Sequence, residues 1–84
     1  MTSKINFYTT NWCGDCVRSK ALLKKHGIDF NEINVDENLE ANEYIKILQN
    51  QKRRIPTIVF EDNSFLVEPT DPELEEKLRA LNLI

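Results

Sequence analysis

The 84-residue sequence has only two glycines, three prolines, two cysteines and one histidine. So little Gly and Pro excludes collagen-like and low-complexity chains. With 40% apolar and 30% charged residues, the composition is that of a folded globular protein rather than a disordered one. No apolar run exceeds three residues, so no segment is expected to cross a membrane. The opening Met1-Thr2-Ser3-Lys4 leads into alternating residues without the apolar stretch of a secretory signal, so a cytoplasmic location is expected. A net charge of −3 offers no basic excess, and nucleic acid is not an expected partner. Two cysteines cannot build a disulfide scaffold. The length suits one domain over residues 1–84, expected as a monomer.

What is present is uneven. Lys4, Arg18, Lys20, Lys24 and Lys25 stand against Asp15 alone in the first part of the chain, and Lys52-Arg53-Arg54 forms a second basic stretch. The segments between and after them are acidic. Ile5, Phe7 and Thr9 alternate with Asn6 and Tyr8, as in a strand. A helix is expected from Gly14 to His26, with Val17, Ala21 and Leu22 facing inward and Gly27 ending it. Its His26 is read as a helix-end cation. Phe30 to Val35 reads as a second strand. Ala41, Tyr44, Ile45 and Leu48 mark an amphipathic helix. Thr57-Ile58-Val59-Phe60 reads as a strand buried on both faces. Glu61 to Ser64 is turn chemistry, and Phe65-Leu66-Val67 completes a hairpin. A last helix opens at Thr70-Asp71-Pro72, capped either by Asp71 or by Thr70 with Glu73, and turns Leu74, Leu78 and Leu81 inward. The order β-α-β-α-β-β-α implies an α/β protein with one mixed sheet covered by helices.

The chemistry is expected in Trp12-Cys13-Gly14-Asp15-Cys16. Cys13 falls where a strand ends and a helix begins. Free backbone N–H groups and the helix dipole favour its thiolate there. Cys16 lies one turn on, within reach, and is expected to be more buried and to resolve what Cys13 starts. Asp15 opposes acidification of the thiols, while Arg18 and Lys20 assist it. Zinc needs four ligands, and His26 is the one further candidate, too far along the same helix; no metal is expected. A structural disulfide and a pair of inert thiols are weaker readings than redox chemistry, because strand, C-x-x-C and helix occur in the order that redox chemistry requires. Trp12 is expected to flank the sulfur with a flat apolar face.

Tyr8 to Cys16, then Ile55-Pro56-Thr57 before a buried strand, then Thr70-Asp71 at the last helix, resemble the glutaredoxin family over essentially the whole chain. The match is best with its branch of mycoredoxins and NrdH-redoxins. The resemblance implies a thioredoxin fold, with a four-stranded mixed sheet flanked by three helices. It implies Cys13 as exposed nucleophile and Cys16 as resolving thiol, in an enzyme that reduces protein disulfides or mixed disulfides. It also implies a cis Ile55–Pro56 bond facing Cys13, leaving the Ile55 N–H and C=O free for an extended thiol substrate. No tightly bound cofactor is implied; the cosubstrate is a low-molecular-weight thiol, namely glutathione, mycothiol or bacillithiol. Thr70 and Asp71 match the pair that holds the γ-glutamyl end of glutathione in this family. Here, however, Glu68-Pro69 replaces the usual two glycines, and Thr9 and Thr10 stand where a lysine is common. These departures point to another small thiol or to a protein reductant. Arg54 and its basic neighbours would attract an anionic thiol or an acidic partner; as a charge run they also read as a solvated linker. Two alternatives follow. One is an NrdH-like electron donor reduced by thioredoxin reductase. The other is a dimer holding an iron–sulfur cluster or metal through Cys13 of each subunit, with which Gly14 in place of the family's frequent proline is compatible.

Overall fold

The alternating segments assemble, in a computed structural model that describes residues 4–84, into four strands and three helices. They are β1 (Asn6–Thr9), α1 (Gly14–Lys25), β2 (Asn31–Asn34), α2 (Leu39–Leu48), β3 (Thr57–Val59), β4 (Phe65–Val67) and α3 (Asp71–Ala80). Met1, Thr2 and Ser3, on which part of the signal-peptide expectation rests, lie outside the described residues. The sheet order is β2-β1-β3-β4. β1 pairs parallel with β2, from Asn6 opposite Asn31 to Thr9 opposite Asn34. It pairs antiparallel with β3, and β3 with β4. This is the mixed sheet that the element order implied, in the thioredoxin arrangement that the resemblance implied. No helix among the described residues is long and apolar enough to cross a membrane.

The central position of β1 explains why its alternation understates its burial. Phe7 and Tyr8 point to opposite faces, and both are buried. Phe7 meets Phe30 with ring centroids 5.4 Å apart, while Tyr8 meets Tyr44 of α2 at 5.8 Å. α2 therefore covers the Tyr8 face, and Phe30 packs on the other. β3 is buried along its whole length, as its continuous apolar run implied. Its one polar side chain, Thr57, is satisfied: its hydroxyl donates to the Arg54 carbonyl at 2.7 Å and accepts from Gln49 Nε2 at 2.8 Å. In the hairpin, Asn63 takes φ +69°, and the Phe60 N–H donates to the Ser64 carbonyl at 2.8 Å.

The inward stripe of α1 differs from the expected one. Cys16, Ser19, Leu22 and Leu23 are buried, whereas Val17 is 64% exposed and Ala21 is also exposed. The helix phase is set at its start, where Cys13 caps and Cys16 turns under it, and this rotates Val17 to the surface. Gly27, at φ +69°, follows the C-cap His26 and lets the chain turn back, with the Ile28 N–H reaching the Leu23 carbonyl at 3.0 Å. His26 pairs with Glu75 of α3 at 3.2 Å, so this helix-end ring also ties α1 to α3.

Of the two caps open for α3, the structure selects Thr70. Its hydroxyl accepts the Glu73 N–H at 3.3 Å, and the Glu73 carboxylate accepts the Thr70 N–H at 2.9 Å. The Thr70 N–H, and after it the Thr70 side chain, hold the Glu73 carboxyl below its ordinary range. Thr70→Ala breaks the reciprocal pair, with an expected loss of about 1 kcal/mol on thermal or urea unfolding.

Candidate active site

The chain leaves β1 and enters α1 through Asn11, Trp12 and Cys13. Cys13 is the N-cap of α1, with extended backbone (φ −93°, ψ 110°), and its sulfur accepts the Cys16 N–H at 3.1 Å. A thiol replaces the usual hydroxyl or carboxylate cap, so one orphan amide of the first turn is satisfied by the Cys13 sulfur. The same sulfur lies 3.9 Å from the Ile55 carbonyl oxygen, within reach of its S–H. The Ile55–Pro56 peptide is cis. No described residue accepts the Ile55 N–H; the carbonyl, expected free, faces the Cys13 sulfur instead.

Cys13 is less open than the exposed nucleophile implied by the sequence. It is 8% exposed, because the capping geometry folds its sulfur back over the first turn, and Cys16 is 0% exposed. Both thiols are free. Burial pushes the Cys16 thiol up to about 11, and its hydrogen bond to the Cys13 sulfur acts in the same direction; the Thr9 side chain and Thr10 backbone pull back more weakly.

The cysteine opens onto a cleft of about 390 Å³. Trp12, Cys13, Gly14 and Asp15 form one wall, Arg53, Arg54 and Ile55 another, and Glu68 closes it. A larger hollow of about 610 Å³ lies beyond the other end of β1, around Lys4, Ile28, Asp29 and Leu83. It contains no thiol, whereas the smaller cleft is bordered by Cys13. Trp12 is 70% exposed, a flat wall open to solvent beside the sulfur. Pro56 is fully buried next to the cleft.

Four of the residues singled out from the sequence thus meet in one place: Trp12, Cys13, Arg54 and Ile55. Thr70 and Asp71 do not line this cleft. Thr70 is occupied as the α3 cap. Asp71 Oδ1 is buried without an aligned hydrogen bond, its counter-charge being Arg18 Nε at 3.3 Å. Arg18 also donates to the Pro69 carbonyl at 2.9 Å and pairs with Asp15 at 3.3 Å. It thereby ties the C-x-x-C helix to the start of α3. Each such half-exposed pair is worth little alone, but three contacts from one guanidinium fix its orientation.

Two contributors, Gln49 and Asp36, were not legible in the sequence, and Arg18 is legible there only as a nearby cation. Gln49 accepts from the Arg54 N–H at 3.1 Å and donates to the Arg54 carbonyl at 3.3 Å, holding the backbone just before the cis peptide. Asp36 accepts from Trp12 and from Arg53. Arg18 makes the contacts above. Each acts through a partner far off in sequence, and no spacing rule announces such pairs. No group of three His, Cys, Asp or Glu side chains that could hold a metal ion occurs among the described residues.

The family model described as glutaredoxin matches residues 5–65. The chain is 32% identical to mycoredoxin 1 of Corynebacterium glutamicum over 80 residues, spanning 94% of this chain and 98% of that one. Among solved structures, the glutaredoxin-like NrdH-redoxin from Escherichia coli superposes with a TM-score of 0.72 at 31% identity, over 88% of this chain and 92% of that one. The glutaredoxin of Archaeoglobus fulgidus gives a TM-score of 0.78 over 92% and 87% of the two chains; at 23% identity that likeness shows the fold alone. A matched span that holds the two cysteines, the cis proline and the sheet between them places the chain in the glutaredoxin family, whose members are thiol–disulfide oxidoreductases.

Proposed function

We propose that this chain reduces protein disulfides and mixed disulfides, with Cys13 as nucleophile and Cys16 as resolving thiol. The inequality of the two sulfurs carries the reading. Cys16 is buried and holds its proton at neutral pH. Cys13 borders the cleft and accepts the Cys16 N–H, a donor that strengthens as charge gathers on sulfur. The Cys13 thiolate attacks one sulfur of the substrate disulfide. A Cys13–substrate disulfide forms, and the other substrate sulfur leaves as thiolate. Cys16 then gives up its proton and attacks the Cys13 sulfur. The second substrate thiolate departs, and the enzyme holds a Cys13–Cys16 disulfide. Two thiols of a reductant return it to the dithiol form and are themselves oxidised to a disulfide.

The free Ile55 N–H beside cis-Pro56 suits an extended substrate backbone, Trp12 gives it an apolar wall, and Arg54 is a cation without a carboxylate partner among the described residues. The reductant is a small thiol other than glutathione, or thioredoxin reductase. Thr70 and Asp71, which the resemblance assigns to glutathione, are already committed to a helix cap and to Arg18. The similar Escherichia coli NrdH-redoxin is described as having a thioredoxin-like activity profile, which supports the reductase arm. This chemistry suits the reducing cytoplasm.

The test offers the oxidised protein glutathione, mycothiol, bacillithiol, and NADPH with thioredoxin reductase, each separately. Recovery of free thiols is followed with time. Glutathione is expected to be at least about tenfold slower than the best donor, a difference of roughly 1.4 kcal/mol or more. Glutathione as the fastest donor would overturn the choice of reductant. Failure of all four would remove the oxidoreductase reading.

A further inference from the structure

Asp36 follows β2 and lies outside the C-x-x-C segment, yet both of its carboxylate oxygens are taken by residues of the Cys13 cleft. Oδ2 accepts the Trp12 indole N–H at 3.1 Å, and Oδ1 accepts from the Arg53 guanidinium. The turn that carries Asp36 is itself held. Its N–H donates to Asn34 Oδ1 at 2.9 Å, the Asn34 amide donates to Asn11 Oδ1 at 3.0 Å, and the Val35 N–H donates to the Thr9 carbonyl at 2.9 Å. The carboxylate is thus anchored to the end of β1, and the two cleft residues are positioned against it.

The charges around the cleft give this anchoring a consequence. Its cations are Arg53 and Arg54, and its acids are Asp15 and Glu68. Asp15 is engaged with Arg18, while Glu68 has no ion-pair partner among the described residues and opposes Arg54 across the cleft. Arg54 has no carboxylate partner among the described residues, and Gln49 fixes its backbone on both sides. Arg53 would add a second positive charge at the mouth, but Asp36 neutralises it. A unit charge at the cleft mouth changes how strongly an anion is attracted, and more so where the protein displaces water.

We propose that Asp36 is the positioning and selectivity residue of this cleft: it clamps Trp12 beside the Cys13 sulfur and cancels the charge of Arg53, so that Arg54 alone attracts an anionic reactant. The inference rests on the proposed function in taking Cys13 as the reacting sulfur. Asp36 is exposed at the surface, so its replacement removes no core contact.

The test uses the full-length, fully reduced protein at about 10 mM ionic strength, with iodoacetate and iodoacetamide as probes. Each reagent gives up iodide as the Cys13 sulfur forms a thioether bond to its carbon, and peptide mass spectrometry reads the rate at each cysteine. The reagents differ in charge, so their rate ratio removes common changes in sulfur nucleophilicity. Asp36→Asn keeps an acceptor for Trp12 while removing the charge. Its iodoacetate-to-iodoacetamide ratio should rise about two- to fivefold, and the gain should shrink at ~0.5 M salt. Arg54→Ala should lower the ratio by a similar factor. Asp36→Ala also loses the Trp12 contact and should shift the emission of Trp12, the chain's single tryptophan; Asp36→Asn should shift it less. An unchanged ratio in folded Asp36→Asn overturns the selectivity role, and unchanged emission in Asp36→Ala overturns the clamp. If Cys16 proves the faster-labelled cysteine, the nucleophile assignment falls instead; the emission measurement needs no reaction and still decides the clamp.

Discussion

Cys13→Ser is expected to abolish reduction of protein and mixed disulfides, a loss of at least about a thousandfold in kcat/KM. A hydroxyl at this position keeps the α1 cap and so keeps the fold. It cannot form the mixed disulfide, and Cys16 is buried and protonated at neutral pH. Cys16→Ser keeps the nucleophile and should retain partial activity on mixed disulfides when a small thiol performs the second exchange. It should lose activity wherever intramolecular resolution is required, as in dithiol exchange with a protein. Steady-state assays of both variants on one mixed-disulfide and one protein-disulfide substrate separate these cases. Equal residual activity in the two variants would sink the assignment.

The raised Cys16 thiol also has a stability signature. Its ordinary value is 9.0, and the fold pushes it up to about 11. Below pH 9 both folded and unfolded chains hold this proton, so its contribution is fully present. Between about pH 9 and 11 the unfolded chain releases the proton first, and stability falls as pH rises. The reduced protein should therefore lose Tm more steeply across this window than Cys16→Ser. Tyr8, also raised by burial, contributes in the same direction to both proteins and cancels in the comparison.

The second large effect is structural. Phe7 is fully buried at the centre of the sheet against Phe30. Phe7→Ala removes its ring and leaves a cavity, at an expected cost of about 3–5 kcal/mol. A domain of this size shifts its Tm by ~4–8 °C per kcal/mol, so a fall of well over 10 °C is expected by calorimetry. Total stability is only about 5–15 kcal/mol for ordinary domains, so this variant should be partly unfolded near body temperature. A fall below ~5 °C would show that the sheet centre repacks around the loss.

Much of the architecture follows from local rules. Thr57 to Phe60 reads as a doubly buried strand because an unbroken apolar run has no face to offer water. Asn63 and Gly27 mark turns because the backbone there needs positive φ. The α1 stripe is where local reading failed. Val17 looked inward by periodicity, but the short helix takes its phase from the Cys13 cap and the burial of Cys16. In β1, Tyr8 alternates with Phe7 and Thr9, yet it is buried too, because α2 covers it. That covering helix is not visible from within a four-residue strand.

The sequence by itself determined the element order and the C-x-x-C at a strand–helix junction, and it placed Cys16 one helical turn beyond Cys13. These depend on neighbours within a turn or two, where spacing dictates geometry. Only the tertiary structure decided which cleft the sulfur enters, and that Arg53 rather than Arg54 is paired. It also showed Asp71 against Arg18 rather than on the cleft wall, and Asp36 beside Trp12. Each of these is a contact between side chains on different elements. Sheet order and helix phase settle such contacts, and no local pattern encodes them.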